Sequence, residues 1–177
     1  MHDLMKEYEF CRDLVEGLFD LPTDIKVVCN GRLKKSAGKA KYSRARKEYG
    51  IEISSFVLDD RYPIKDLRNT ICHELIHIVD YYKSGRSSGH GGYWLECANE
   101  FNNVYSELIG NIQRYMSAEE CAVADKIRPK KTYICKCEKC GHLFKRKGYR
   151  APKVYTHPRY YTHNNCGGYV VPLRIEG

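Results

Sequence analysis

The sequence predicts an α+β fold, with helices packed on a small sheet, followed by a separate C-terminal unit. Three observations predict it. A helical pattern around residues 67–82 has one apolar face and one polar face. Two stretches with strand character, Ile25–Cys29 and Ile51–Leu58, precede that helix. The charge also breaks: residues 1–125 hold 17 Lys+Arg against 20 Asp+Glu, whereas residues 126–177 hold 13 against 2. A balance of −3 giving way to +11 places a boundary near Ala124–Pro129, so residues 1–127 and 128–177 are expected to be separate domains.

The elements follow in order. Leu4, Tyr8, Cys11, Val15 and Leu18 recur at helical spacing, which predicts an amphipathic helix over 3–19. Leu21-Pro22-Thr23-Asp24 ends it. Residues 32–47 carry eight Lys/Arg and no acid between the two strands. They read as a hairpin or irregular turn whose cations either keep an edge soluble or contact phosphate. The central helix begins between Pro63 and Leu67, with Asp60 or Asp66 as candidate caps. After a Gly/Ser turn, Trp94, Leu95, Cys97, Ala98, Phe101, Val104, Tyr105 and Leu108 predict a second long helix with a wide apolar face. Trp94 and Phe101 are expected in the core, and Gly110 is a suitable stop. Ser117-Ala118-Glu119-Glu120 is a capping box opening a short helix through Ala124.

The chemistry starts with His73-Glu74-Leu75-Ile76-His77. At about 100° per residue, His77 falls near 40° from His73 and Glu74 near 100°. Leu67, Ile71, Leu75, Ile78 and Tyr82 cluster at roughly 120–200°, on the opposite side. Two imidazoles on one face can hold one Zn²⁺, and the glutamate between them can take a proton from its bound water. A third ligand is needed. His90, between Gly89 and Gly91, is one choice, and Glu96 or Glu100 on the next helix is the other.

The C-terminal segment has metal-ligand spacing of its own. Cys137-Glu138-Lys139-Cys140 is a CxxC knuckle, and His163-Asn164-Asn165-Cys166 repeats the spacing as HxxC. Together they make a Cys₃His set for a structural zinc. Cys135, His142 and His157 are alternative donors. Lys145, Arg146, Lys147, Arg150, Lys153 and Arg159 interleave with Tyr149 and Tyr155. Cations that follow phosphates beside aromatic faces that stack bases suit nucleic acid, single-stranded or junction-like rather than a sequence-specific duplex.

The remaining cysteines, Cys11, Cys29, Cys72, Cys97 and Cys121, sit at apolar or helical positions and read as buried, reduced thiols. Asp3, Glu7 and Glu9 without an apolar signal core argue against secretion, and no apolar run is long enough to span a membrane. The expected location is cytoplasmic and nucleoid-associated, or nuclear in a eukaryote.

His73-Glu74-Leu75-Ile76-His77 with Gly89-His90-Gly91-Gly92-Tyr93-Trp94, together with Ala37-Gly38-Lys39-Ala40 and the strand after it, resembles the SprT-like (Spartan) family of metalloproteases. The resemblance implies that His90 is the third ligand and that Glu74 is the catalytic base of a zinc endopeptidase with a zincin-like domain. It further implies a C-terminal zinc ribbon, substrates that are DNA-bound or DNA-crosslinked proteins, DNA-stimulated cleavage and a role in DNA repair. Many relatives keep two cysteines where this chain has His163 and Cys166. The strand at Ile51–Leu58 is expected to be the edge that pairs with substrate. Tyr81, Tyr82 and Tyr93 are candidates for stabilising the oxyanion. The alternative is a zinc-containing nucleic-acid-binding protein without catalysis.

Overall fold

A computed structural model describes residues 1–113 and 115–177. The chain divides into two compact units, Met1–Ile127 and Arg128–Gly177. The first is α+β. Helix α1 (Leu4–Glu16) is capped by Asp3, whose carboxylate accepts from the N–H groups of Met5 and Lys6. Strands β1 (Ile25–Asn30), β2 (Gly38–Ser43) and β3 (Glu48–Ser54) form a sheet in the order β1-β3-β2. β3 runs parallel to β1 and antiparallel to β2. Then come α2 (Ile64–Ser84), α3 (Gly92–Ile109) and α4 (Ala118–Ile127).

Helix α2 is the spine. Leu67, Ile71, Leu75 and Ile78 are fully buried among residues of α1, the sheet and α3. Burying each such side chain contributes about 1.5–3 kcal/mol. α1 is clamped to α2 by an ion pair in which the Arg68 Nε donates to the buried Glu7 carboxylate at 2.6 Å. The Arg68 guanidinium also lies 4.2 Å over the Phe10 ring. Gly85, with φ 67°, ends α2 in the left-handed conformation.

Several expectations are corrected. The second strand ends at Ser54, because Ser55–Leu58 turns into a 3₁₀ helix whose Phe56, Val57 and Leu58 plug the core. That strand is also not an edge: β3 is paired on both sides, and the edges are β1 and β2, of which β2 lies inside the basic stretch. Apolar alternation marks a buried strand without saying how many neighbours it has. Neither Asp60 nor Asp66 caps α2, which starts after Pro63 with no side-chain cap. α1 is shorter than 3–19, and α4 runs on to Ile127. The α4 capping box forms reciprocally: the Ser117 N–H donates to Glu120 at 2.5 Å, and the Glu120 N–H donates to Ser117 Oγ at 3.1 Å. The apolar face of α3 is narrower than its periodicity suggested, since Leu95, Val104 and Leu108 are exposed. Tyr82 is exposed as well, so the buried stripe of α2 stops short of it. Cys29 and Cys121 are exposed rather than buried.

The second unit is a three-stranded antiparallel sheet in the order β5-β4-β6, from β4 (Lys131–Cys137), β5 (Leu143–Gly148) and β6 (Val170–Glu176). A one-turn helix, α5 (Lys153–Thr156), lies between β5 and β6. No helix among the described residues is long and apolar enough to cross a membrane.

Candidate metal centres

α2 presents His73 and His77 one turn apart, as the four-residue spacing requires. The turn after α2 brings His90 back over them. Nε2 of His90 lies 3.1 Å from Nε2 of His73 and 3.1 Å from Nε2 of His77. Nitrogens at about 2.0–2.1 Å from a tetrahedral zinc would be about 3.3 Å apart, so the three donors fit one ion. Burial holds the His73 pKa down at about 4 and that of His77 at about 3, with the neighbouring imidazoles adding to both. The rings are therefore neutral near pH 7 and keep their lone pairs for a cation. The buried Trp94 floors the cluster, its ring centroid 4.6–5.2 Å from all three imidazoles. Glu96 and Glu100 do not join them.

Glu74 faces the same cleft, which has a volume of about 740 Å³ and runs along α2 from Lys65 and Asp66 to Tyr81. Its far walls are β2 with the residues leading into it, and the segment from Ile109 into α4. Burial pushes the Glu74 carboxyl up to about 7, opposed by the Ala40 N–H that bonds it. Gly38 makes room for this carboxylate. A Cβ at position 38 would stand 2.6 Å from Glu74 Cγ and 2.7 Å from Oε1. Gly38→Ala therefore shifts Glu74, and any turnover that depends on this carboxylate is expected to fall by about 100-fold, the scale of a 1 Å misplacement. Zinc content should stay unchanged, which metal analysis beside steady-state kinetics will check.

In the C-terminal unit, Cys137, Cys140, His163 and Cys166 converge, with all four ligand atoms within 4.8 Å of one another. Cys137 Sγ lies 3.5 Å from Cys166 Sγ, and Cys140 Sγ lies 3.1 Å from His163 Nδ1. The two half-sites are built alike. The Gly141 N–H donates to the Cys137 carbonyl and the Gly167 N–H to the His163 carbonyl, and both glycines have positive φ. The Cys140 N–H and then the Lys139 N–H favour the Cys137 thiolate, lowering its pKa to about 6. A soft, closed Cys₃His donor set suits a structural zinc. Cys135 is not a donor here: its thiol is buried and points at the Val154 carbonyl. His142 stacks on His163 with ring centroids 5.0 Å apart, and His157 bonds Thr156.

Comparison with known families supplies the deciding observation. The SprT-like family profile matches residues 7–116, which include His73, Glu74, His77 and His90. The chain belongs to the SprT-like family. That family is associated with metalloprotease-like function. No curated protein matches the chain.

The remaining candidates of this SprT-like protein are distributed as follows. Lys145, Arg146 and Lys147 are consecutive and exposed on the edge strand β5, and Arg150, Lys153 and Arg159 are exposed on the connection to β6. Tyr149 is half-buried beneath Arg128 and Lys130, and Tyr155 packs edge-on against the buried Tyr133. Tyr160 and Tyr169 are the more open rings. Of the tyrosines considered for the oxyanion, Tyr81 lines the cleft while Tyr82 and Tyr93 do not.

Two residues escaped the sequence reading. Tyr115 lines the cleft, 71% exposed, with its ring 6.4 Å from that of His90. Nothing in its local sequence marks it. Asp80 is fully buried and accepts from the Ser88 N–H at 2.7 Å and the Ser88 hydroxyl at 2.8 Å. Ser88 also accepts from the Trp94 N–H at 3.3 Å. Asp80 thus latches the turn that carries His90. A signal existed: Asp80 falls about 20° from His73 on the helical wheel, on the metal-facing side. Asp80→Asn is expected to weaken zinc at the histidine cluster by about 10–100-fold, measured by chelator competition.

Proposed function

We propose that the chain is a zinc-dependent endopeptidase acting on DNA-bound or DNA-crosslinked proteins. In this reading residues 1–127 are a zincin-like catalytic domain, and residues 128–177 are a basic zinc ribbon that binds DNA and makes cleavage DNA-stimulated. The observation that carries the reading is three converging imidazoles, with Nε2 of His73 and of His77 each 3.1 Å from that of His90, and a buried carboxylate beside them in an open cleft.

His73, His77 and His90 would hold a zinc, which would supply Lewis acidity toward a peptide carbonyl and a water. Glu74 takes the water's proton and returns it to the leaving amine. The Ala40 N–H and the space left by Gly38 hold the Glu74 carboxylate in place. The free edge of β2 offers main-chain groups to an extended substrate, which binds sequence through its backbone rather than its side chains. Exposed Lys145, Arg146, Lys147, Arg150, Lys153 and Arg159 supply the phosphate contacts of the C-terminal unit. Cys137, Cys140, His163 and Cys166 hold the structural zinc. The protein would work where DNA is, at the nucleoid or in a nucleus, in the repair of DNA-protein crosslinks.

The test is cleavage of a protein crosslinked to DNA by the zinc-loaded full chain, with an unstructured protein as second substrate and single-stranded DNA added or withheld. Cleavage that rises with DNA is expected. Cleavage indifferent to DNA removes the DNA part of the reading. Binding without any cleavage leaves a non-catalytic nucleic-acid-binding protein.

A further inference from the structure

The β2–β3 hairpin carries a run of cations that neither the core nor the metal chemistry uses. Its four-residue turn, 44–47, sets Arg44, Arg46 and Lys47 at one exposed tip. Arg44 and Lys47 form no ion pair among the described residues, and Arg46 reaches Glu48 only at 3.9 Å. Three like charges on one tight turn repel one another unless an anion lies between them.

The turn is also strained. Lys47 has φ 52°, the one positive-φ residue other than glycine among those described. Glycine or asparagine takes that conformation more easily, so a lysine there keeps a cation at the expense of backbone comfort.

Beside the tip lies a trough of about 590 Å³ whose lining includes Lys26, Lys39, Lys41 and Tyr81 and also Glu48 and Glu52, which pair with Lys26 and Lys41 respectively. Lys26, Gly50 and Lys41 stand side by side in the register of β1, β3 and β2, so the missing side chain at position 50 leaves a gap between two lysines. Tyr42 stacks on Tyr49 at 5.1 Å and on Tyr81 at 5.4 Å. Tyr42 and Tyr49 alternate with Lys41 and Gly50 along the strands, so the rings lie on the α2 side of the sheet and Lys26, Lys39 and Lys41 on the other, where they offer cations to a phosphate backbone without base stacking. Tyr81 lines the metal cleft as well, so trough and cleft adjoin.

We propose that this hairpin is a nucleic-acid contact of the N-terminal unit itself, with the phosphates of a single strand running along Lys39 and Lys41 to Arg44, Arg46 and Lys47. The inference rests on the proposed action on nucleic-acid-bound proteins and adds a second anchor to it. A strand held there lies next to the free edge of β2, so a protein attached to that strand is delivered to the cleft. Contacts to phosphates carry no base preference.

The test compares the full chain with its Arg44→Gln, Arg46→Gln, Lys47→Gly variant. Glycine at 47 relieves the strained φ, so the turn is not expected to unfold, and none of the three positions lines the metal cleft. Binding to a fluorescent oligothymidine is measured from about 50 to about 200 mM salt. The slope of log affinity against log salt is expected to fall by about 2, since each single-strand phosphate contact contributes about 0.7. Strand-stimulated cleavage of a DNA-bound protein should drop by about 10-fold or more, while strand-free cleavage of an unstructured protein stays unchanged. An unchanged slope in the variant, with the native chain binding normally, overturns the hairpin proposal and leaves the wider reading standing. Failure of the native chain to bind the oligonucleotide overturns both. Binding of the native chain to phosphatidylserine vesicles that the oligonucleotide does not displace assigns the hairpin to a lipid surface and overturns it too.

Discussion

Replacing Glu74 by Gln is expected to abolish peptide cleavage while leaving both zincs in place. The amide has the same shape, and its carbonyl oxygen can still accept from the Ala40 N–H. It cannot take a proton from water, and general-base catalysis of this kind is worth about 10²–10⁴ in rate. Stability should not fall, because the change removes a carboxylate that burial already disfavours. Turnover of an unstructured protein, zinc analysis and thermal melting on the same preparation check the three parts. Undiminished turnover would show that some other group activates the water.

The second large effect belongs to the C-terminal unit. Replacing Cys137 and Cys140 together by Ser is expected to remove one zinc per chain and unfold residues 128–177. Apart from the ligand Cys137, the buried apolar side chains of that unit are Tyr133, Ile134, Cys135 and Val170. So small a core does not offset the chain entropy of a unit this size without a staple. A structural zinc supplies about 10–16 kcal/mol in comparable small sites. Gly168 points the same way, since a Cβ there would stand 2.7 Å from Cys137 Sγ and crowd the ligand set. Limited proteolysis should degrade the C-terminal unit of the variant and spare the N-terminal one. A variant that keeps both zincs and resists proteolysis would assign the staple to other groups.

The parts of the site that depend on helical phase were legible in the sequence. His73, Glu74, His77 and the buried stripe from Leu67 to Ile78 all follow from 3.6 residues per turn, because α2 is long and regular. Residues brought in by loops were not legible by phase. His90 and the glutamates Glu96 and Glu100 were equivalent by spacing, and the fold brings His90 in through the Ser88–Asp80 latch. The edge strand was misplaced for a related reason. Alternating Ile51 and Ile53 report burial, but a strand's neighbours are set by topology, and β2 took one of the two edges with side chains as polar as Lys39 and Lys41. Gly38 was visible as part of a turn motif, but the carboxylate it makes room for is remote in sequence.

Zinc stoichiometry of His90→Ala tests the central claim most directly. His90 lies in the turn outside the helical pair and is itself not part of the buried core, so its loss should leave the fold intact. Native protein is expected to hold two zincs per chain and the variant one, with the cysteine cluster retaining its own. Two zincs in the folded variant would contradict the convergence of three imidazoles on one ion.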